Sequence, residues 1–455
     1  MRLRESDIGG LRSRLRGALL RPGDASYEET RRIYNGMLSR RPALIIRALG
    51  TADIVDAIRF ARAHGLEMSV RGGGHSVAGK AVCESGLMLD LSLMKGVHVD
   101  PGCRVAWAQG GVTWGELNRE TQLHGLATTG GIVSTTGIAG LTLGGGFGWL
   151  MGKYGLAADN MMAAQVVTAD GSILQASAEE DRELLWALRG GGGNFGVVPW
   201  FQYKLHPVGP VRSGLVAHSV ERARDVFELY REQSASAPDE LALQAGLLRA
   251  REDSATPLAA IVACDCGPDA EAEARLRPLK AFGSPIVDTL TTASYEDTNS
   301  DLVDPLLPWG NRYYWRSTFL ADLGDAAIDA LIAQFSVCPS TLSLLILEHF
   351  HGAATRIGVD ETAFPYRCES HNLLIISQWL HAEDDDENIS WARATYDALR
   401  PFMAGASYLN YQTDDQTTDA LEHTYGPNYA RLAALKDKLD PTNFFHLNQN
   451  IPPQK

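Results

Sequence analysis

The chain has 455 residues, of which 45% are hydrophobic and 21% are charged. This composition is that of a globular protein with two or three domains, and it argues against a chain that is disordered overall. The 41 basic and 55 acidic residues give a formal net charge of −14, which argues against a nucleic-acid partner and against binding to anionic lipid through a basic patch.

The sequence also bears on where the protein works. It has no stretch of roughly 18 apolar residues that would span a membrane. Residues 1–24 are basic but lack the apolar segment of a secretory signal. The six cysteines form no CxxC pair, which favours free thiols in a reducing compartment. We expect a cytoplasmic protein with no membrane partner that is a monomer or a homodimer.

Helical and strand patterns alternate along the first half of the chain. An amphipathic helix is predicted for residues 52–65, because apolar side chains recur at helical spacing and Gly65 follows as a C-cap. Asp170 and Gly171 predict the turn of a β-hairpin. Other predicted elements are strands at 66–70, 86–92 and 104–111 and helices at 113–125 and 182–190.

A proline- and glycine-containing segment at 206–214 indicates a boundary. Beyond it, apolar strands alternate with helices, which is typical of an α+β fold. We predict a first domain at residues 1–210 with a core at about 38–208, a second domain at 211–410, and a C-terminal segment at 411–455 that returns to the first domain. The predicted strands are 215–220, 241–248, 258–265, 341–350 and 372–380, and the predicted helices are 223–235 and 389–402.

Glycine is concentrated in three loops, at residues 71–79, 128–148 and 189–196. Such loops allow main-chain N–H groups to approach a phosphate closely. A strand at 86–92 follows the first loop, whereas a Rossmann fingerprint requires a helix there, so we reject a Rossmann fold. Three such loops in one domain fit an extended dinucleotide, with Arg71 or Ser76 assisting at its pyrophosphate.

Longer motifs carry a resemblance to a known family. They are RPALIIRALGTADIVDAIRFARAHGLEMSVRGGGHSVAG (41–79), GLMLDLSLMKGVHVD (86–100), TGIAGLTLGGGFGWLMGKYGLAADN (136–160), RGGGGNFGVV (189–198), YLNYQ (408–412) and DPTNFFHLNQNIPP (440–453). The chain resembles the berberine-bridge-enzyme-like FAD-linked oxidases of the vanillyl-alcohol-oxidase superfamily. Within that family it is most similar to mono-covalent bacterial members such as the 6-hydroxynicotine oxidases and antibiotic-tailoring flavoenzymes.

This resemblance implies a fold and a cofactor. The fold is α+β, with a PCMH-type FAD-binding domain of two α/β subdomains and an α+β substrate domain that contains an antiparallel sheet. His75 corresponds to the histidine that bonds to the 8α-methyl group of FAD. Val133 stands where many relatives have a cysteine that forms a second bond, so we expect mono-covalent FAD. The residues expected to contact FAD are Arg71, Gly72, Gly73, Gly74, His75, Ser76, Gly79, Gly130, Ser134, Thr135, Gly137, Gly140, Gly144, Gly196, Val197, Val198, Asn410, Asn448 and Asn450.

Two catalytic candidates also follow from the resemblance. Thr136 corresponds to a position that controls the access of O₂ to the flavin, unless it is only a turn residue. Tyr411 corresponds to a tyrosine that serves as a base, unless it is only a core residue. Because a tyrosine has a reference pKa near 10, Tyr411 must be tuned by its neighbours or act through a hydrogen bond.

A third candidate is a carboxylate on a strand. The family acid of this region corresponds to Ile375, so that carboxylate is absent. Alternation along the strand 342–351 places Glu348 on the face opposite His349 and His351. Glu348 either points toward the flavin or is a salt-bridged strand residue. No third ligand accompanies the two histidines, so no metal site is predicted. Other polar candidates for the pocket are His371 and Gln378.

The expected activity is oxidation of a small or medium organic substrate of the alcohol, amine or phenolic/polyketide type. Hydride passes to flavin N5, and O₂ reoxidises the flavin to give H₂O₂. The alternatives are a flavin monooxygenase of secondary metabolism, a dehydrogenase with another electron acceptor, and a non-catalytic binding protein on a decayed flavin scaffold.

Overall fold

The structure, a computed structural model, describes residues 3–250, 256–413 and 418–454. Its N-terminal subdomain contains α1 (Glu5–Arg12), β1 (Ala18–Leu20), α2 (Tyr27–Thr30), β2 (Leu44–Arg47), α3 (Thr51–Ala63), β3 (Met68–Arg71) and β4 (Leu87–Asp90). The sheet has the order β1-β2-β4-β3, in which β1 runs antiparallel to three parallel strands. Ile54 and Ile58 of α3 share one core with Leu44 and Leu89 of the sheet, which confirms the amphipathic helix.

The second subdomain contains β5 (Val97–Asp100), β6 (Val105–Gln109), α4 (Trp114–Gln122), β7 (Leu126–Ala127), α5 (Ile138–Leu143), α6 (Met151–Tyr154), β8 (Met161–Val167), β9 (Ile173–Ala176), α7 (Arg182–Leu188) and β10 (Val197–Lys204). Its five-stranded sheet is antiparallel and has the order β5-β6-β10-β8-β9. The predicted hairpin joins β8 to β9. Gly171 in its turn has a φ of +79°, which residues with a Cβ rarely adopt.

The third part contains β11 (His206–Pro207), β12 (Val211–Ser219), α8 (Ala223–Ala235), β13 (Leu241–Arg249), β14 (Pro257–Asp265), α9 (Asp269–Ala281), β15 (Val287–Asp288), β16 (Thr291–Ala293), α10 (Tyr295–Asp301), β17 (Arg312–Leu320), α11 (Asp325–Ser336), β18 (Leu344–Phe350), β19 (Ser370–Trp379) and α12 (Asp385–Leu399). Strand β11 pairs with β7. The other strands of this part form an eight-stranded sheet. Its order is β15-β12-β14-β13-β18-β19-β17, and β16 also pairs with β12. Helices α8, α11 and α12 cover one face, where Leu243, Leu347 and Ile375 are buried. These helices leave the opposite face of the sheet uncovered.

The C-terminal segment contains α13 (Thr418–Tyr425) and α14 (Tyr429–Leu439), followed by an extended tail. Leu432 of α14 packs in the core of the second subdomain with Phe195. The buried ammonium group of Lys436 donates to the Asp440 carboxylate at 2.8 Å and to the carbonyl of Asn194 at 2.9 Å. These bonds hold the tail against the third glycine loop.

The predicted α+β fold class, with an antiparallel sheet beyond residue 210, is confirmed. Strand β12 begins inside the segment 206–214, and the domain boundaries at 210 and 410 stay a prediction. Across the described ranges, no helix is both long enough and apolar enough to cross a bilayer.

Candidate active site

A cavity of about 320 Å³ lies between the glycine loops and the uncovered face of the eight-stranded sheet. A volume of this size is typical of a small-molecule site. The glycine loops line it with Gly72, Gly73, Gly74, Gly137, Gly140 and Gly196. The sheet contributes Gln244, Trp315, Ile346, Glu348, Leu374 and Ile376, and the C-terminal part of the chain contributes Asn410, Tyr411, Gln412, Asn448 and Gln449.

The first two glycine loops touch each other through Gly73 and Gly137. A Cβ on Gly73 would lie 2.3 Å from the nitrogen of Gly137, and a Cβ on Gly137 would lie 2.3 Å from the nitrogen of Gly73, so only glycine fits at either position. A Cβ on Gly140 would meet no protein atom within 4 Å, although Gly140 lines the cavity. A side chain there would extend into the cavity. The loops therefore leave a channel bordered by main chain, which fits an extended FAD molecule.

His75 lies on the cavity wall in the first glycine loop. Its Nε2 is 2.8 Å from the hydroxyl of Thr135, and its Nδ1 is 3.3 Å from the hydroxyl of Thr136. Removal from water lowers the pKa of His75 to about 3, so the ring is neutral at physiological pH. A neutral imidazole has one unprotonated ring nitrogen and is the nucleophilic form of this side chain.

Glu348 is buried in the sheet face that lines the cavity, with 3% of its surface exposed. The neighbouring strands place Gln244 and Asn372 opposite it in register. Asn372 Nδ2 donates to Oε2 at 2.7 Å, and the Tyr411 hydroxyl donates to Oε1 at 3.2 Å. Burial raises the pKa of Glu348 to about 7, although these two hydrogen bonds oppose the rise. The carboxyl group therefore exchanges its proton near neutral pH, as a general base requires.

Tyr411 ends a short 3₁₀ turn that begins at Leu409. Its ring packs edge-on against Trp315 and Tyr408, with centroid distances of 5.7 and 4.6 Å. Burial, together with the nearby Glu348 carboxylate, raises the pKa of Tyr411 well above its usual value. The hydroxyl therefore keeps its proton and donates it in a hydrogen bond, so Glu348 is the proton acceptor of this pair.

Most of the predicted site residues lie on the cavity wall. They are Gly72, Gly73, Gly74, His75, Ser76, Thr136, Gly137, Gly140, Gly196, Val197, Val198, Glu348, Asn410, Tyr411 and Asn448. Val133, the position without the second cysteine, also lines the cavity. The predicted residues that do not line the cavity are Arg71, Gly79, Gly130, Ser134, Thr135, Gly144 and Asn450. Arg71, for example, donates to the carbonyl of Thr30 at 2.6 Å, and the amide of Ser134 donates to Asp304 at 2.8 Å. Assignment of individual residues to FAD stays a prediction.

Strand β19 contributes no carboxylate to the cavity wall. Ile375, which corresponds to the family acid, is fully buried in the core beneath the helices. Its neighbours Leu374 and Ile376 line the cavity instead. Both are apolar, so β19 places no carboxylate at this part of the wall. Among the described lining residues, Glu348 is the one carboxylate.

The remaining polar candidates of this region lie away from the cavity. His349 and His351 stack on each other with ring centroids 4.1 Å apart. His371 lies beneath the helices, where its Nδ1 is 3.0 Å from the Tyr230 hydroxyl, and Gln378 is not part of the cavity wall. Within the ranges given above, no group of three or more His, Cys, Asp or Glu side chains is arranged to hold a metal ion.

Sequence reasoning missed Gln244 and Asn372. Each is a polar residue in an otherwise apolar strand, and this was the signal available in the sequence. Both lie on the same sheet face as Glu348. Their proximity to Glu348 depends on the strand order β13-β18-β19. That order brings together segments that are far apart in the chain, so no local pattern in the sequence indicates it.

Glu348→Gln is expected to stabilise the protein in alkaline solution. The folded-state pKa of about 7 lies above the usual 4.5 of Glu, so the contribution of this carboxyl to stability is complete below pH 4.5 and is lost as the pH rises through about 7. Glutamine has no charge to bury, so the variant should gain up to about 3 kcal/mol in free energy of unfolding near pH 8. Denaturant unfolding at pH 4.5 and at pH 8 measures this gain. If the free energies of unfolding of the variant and the wild type differed by the same amount at pH 4.5 and at pH 8, the raised pKa would be contradicted.

Comparison with known proteins gives matches over nearly the whole chain. The family model described as an FAD binding domain matches residues 42–177, and the model described as berberine and berberine like matches residues 407–452. An FAD-linked oxidoreductase of Dictyostelium discoideum is 30% identical over 96% of this chain and 95% of its own length. The (R)-6-hydroxynicotine oxidase of Paenarthrobacter nicotinovorans is 30% identical over 97% of each chain.

A solved structure agrees with these matches. The crystal structure of 6-hydroxy-D-nicotine oxidase from Arthrobacter nicotinovorans superposes with a TM-score of 0.88 at 28% identity, over 97% of this chain and 98% of that one. The similarity therefore includes the glycine loops, the eight-stranded sheet and the C-terminal segment together. This chain belongs to the berberine-bridge-enzyme-like family of FAD-linked oxidoreductases, and it is an FAD-dependent enzyme.

Proposed function

We propose that this enzyme is an oxidase that removes a hydride from a small or medium organic substrate and transfers the electrons to O₂, giving H₂O₂. The substrate class is an alcohol, an amine or a phenolic compound. The observation that carries the proposal is the hydrogen-bonded pair of Glu348 and Tyr411 on the cavity wall. FAD supplies the hydride acceptor when it is bound. The relatives named as 6-hydroxynicotine oxidases support the choice of an oxidase.

The Glu348–Tyr411 pair provides a path for the substrate proton. A substrate O–H or N–H group that bonds to the Tyr411 oxygen gives up its proton while Tyr411 passes its own to Glu348. This transfer requires Glu348 to be ionised, which its pKa of about 7 allows at neutral pH. The amide of Asn372 donates to the carboxylate and stabilises its charged form.

His75 attaches FAD covalently, and it does so alone. Its neutral ring and its place on the cavity wall suit it to bond with the flavin 8α-methyl group. Val133 lines the cavity without a thiol, and no cysteine is among the described lining residues, so a second bond is not expected. Thr136, whose hydroxyl contacts His75, is the residue that we propose controls the approach of O₂.

Anaerobic mixing tests this proposal. The purified enzyme is mixed with alcohols, amines, sugars and phenolics, and loss of the yellow flavin absorbance identifies substrates. Turnover in air should then give H₂O₂ in equal amount to the product. Labelled oxygen in the product would indicate a monooxygenase, and slow reoxidation of reduced enzyme in air would indicate a dehydrogenase. Absence of bleaching with every compound would favour a binding protein.

A further inference from the structure

The His75 imidazole belongs to a stack of aromatic rings. The Tyr34 ring stacks on it, with centroids 4.4 Å apart and planes 19° apart. Tyr313 in turn stacks on Tyr34 at 4.5 Å and 14°. The indole of Trp309 meets the imidazole edge-on at 5.3 Å. The catalytic pair described above makes no use of these rings.

The main chain of Tyr34 connects the two loops that meet at His75. Its N–H donates to the carbonyl of Gly74 at 3.0 Å, and its carbonyl accepts from the N–H of Gly310 at 3.0 Å. Gly74 precedes His75 in the chain, and Gly310 follows Trp309. The Tyr34 side chain is 1% exposed, so it is part of the fixed interior. The backbone that carries the Tyr34 ring is therefore fixed to both loops.

Four side chains together orient the imidazole. Tyr34 sets the plane of the ring, because stacked rings resist tilting. The hydroxyls of Thr135 and Thr136 set its rotation within that plane. Trp309 Nε1 donates to the Thr135 hydroxyl at 3.3 Å and so supports one of these bonds. A nucleophile that is held in the reactive orientation reacts faster than one that rotates freely.

We propose that Tyr34 and Trp309 are positioning residues for the covalent attachment of FAD to His75. This inference rests on the linkage set out under Proposed function. Attachment replaces one C–H bond of the flavin 8α-methyl group and the N–H bond of the imidazole by a C–N bond. The electron pair released reduces the flavin, and O₂ then takes that pair with the two protons as H₂O₂. Tyr34 and Trp309 accept neither protons nor electrons.

The rate of attachment tests this role directly. Apoprotein is prepared from riboflavin-deprived cells, FAD is added, and the flavin retained in washed acid precipitates is measured over time. Tyr34→Leu and Trp309→Leu should each slow attachment about 10-fold or more, because the ring loses its orientation. Tyr34→Phe keeps the stacking ring and should attach FAD at close to the wild-type rate. Tyr230→Leu removes a buried tyrosine outside the stack and is the matched control.

A second measurement separates positioning from folding. FAD affinity is measured in a His75→Ala background, where no bond forms, and Tyr34→Leu should lower it far less than it lowers the attachment rate, although Tyr34 borders the cavity. A loss of affinity as large as the loss of rate would show a merely structural role and overturn the inference, as would wild-type attachment rates in both leucine variants. If Tyr34→Leu does not fold, Trp309→Leu decides, because Trp309 is 38% exposed. Wild-type protein that never retains flavin would refute the linkage itself.

Discussion

Reduction of the flavin by a substrate is expected to be about 10²–10⁴-fold slower in Glu348→Gln than in the wild-type enzyme at neutral pH. Glutamine keeps the size of the side chain and still accepts a hydrogen bond from Tyr411, but it cannot take a proton. The wild-type rate should rise with pH and level off above about 7, because the carboxyl group acts as a base only after it has lost its proton. The variant should lack this rise. Anaerobic stopped-flow absorbance measures both effects.

Two further variants show whether the slower flavin reduction depends on the hydrogen-bonded pair of Glu348 and Tyr411. Tyr411→Phe should slow reduction by more than about 10-fold, because the proton must then reach Glu348 without the hydroxyl. Glu369→Gln changes an exposed carboxylate outside the cavity and should leave the rate unchanged. Wild-type rates and an unaltered pH profile in Glu348→Gln would remove Glu348 from the mechanism.

His75→Ala is expected to release all of the flavin. Wild-type protein precipitated with acid and washed should stay yellow, whereas the variant should leave its flavin in the supernatant. The physical reason is that the imidazole nitrogen forms the proposed bond to the cofactor, and Val133 offers no second nucleophile. Mass spectrometry of the intact chain should show the added mass of one FAD in the wild type only.

The control for this prediction is His98→Ala, which removes an exposed histidine from β5 and should leave the pellet yellow. A yellow pellet from His75→Ala would place the bond elsewhere in the chain. A colourless pellet from the wild type would show that the cofactor is not covalently bound, although FAD binding itself would stand.

The residues that hold the cofactor cavity together were accessible from the sequence because they are restricted by local geometry. Gly73 and Gly137 tolerate no side chain where two loops touch. Gly74 has a φ of +75°, a conformation that glycine adopts without strain. Such restrictions act on the residue type itself, so the cluster of glycines around His75 is recognisable in the amino-acid sequence.

The polar wall of the cavity was predicted in part. Strand alternation separates Glu348 from His349 correctly, because side chains on a strand alternate between the two faces of a sheet. Alternation does not say which face the helices cover, and for that reason the sequence left two roles open for Glu348. For the same reason, alternation alone does not place Ile375, which lies beneath the helices.

The FAD-binding family, the α+β fold class, the place of His75 in the first glycine loop and the absence of a cysteine at Val133 were all predicted from the amino-acid sequence. Two contacts are visible only in the folded chain: Tyr411 donates to Glu348, 63 residues away, and Tyr34 stacks on His75. Contacts of this kind depend on strand order and on the packing of distant loops. No local pattern in the sequence indicates such contacts, because the residues are far apart in the chain. Their burial and register arise only when the domains assemble.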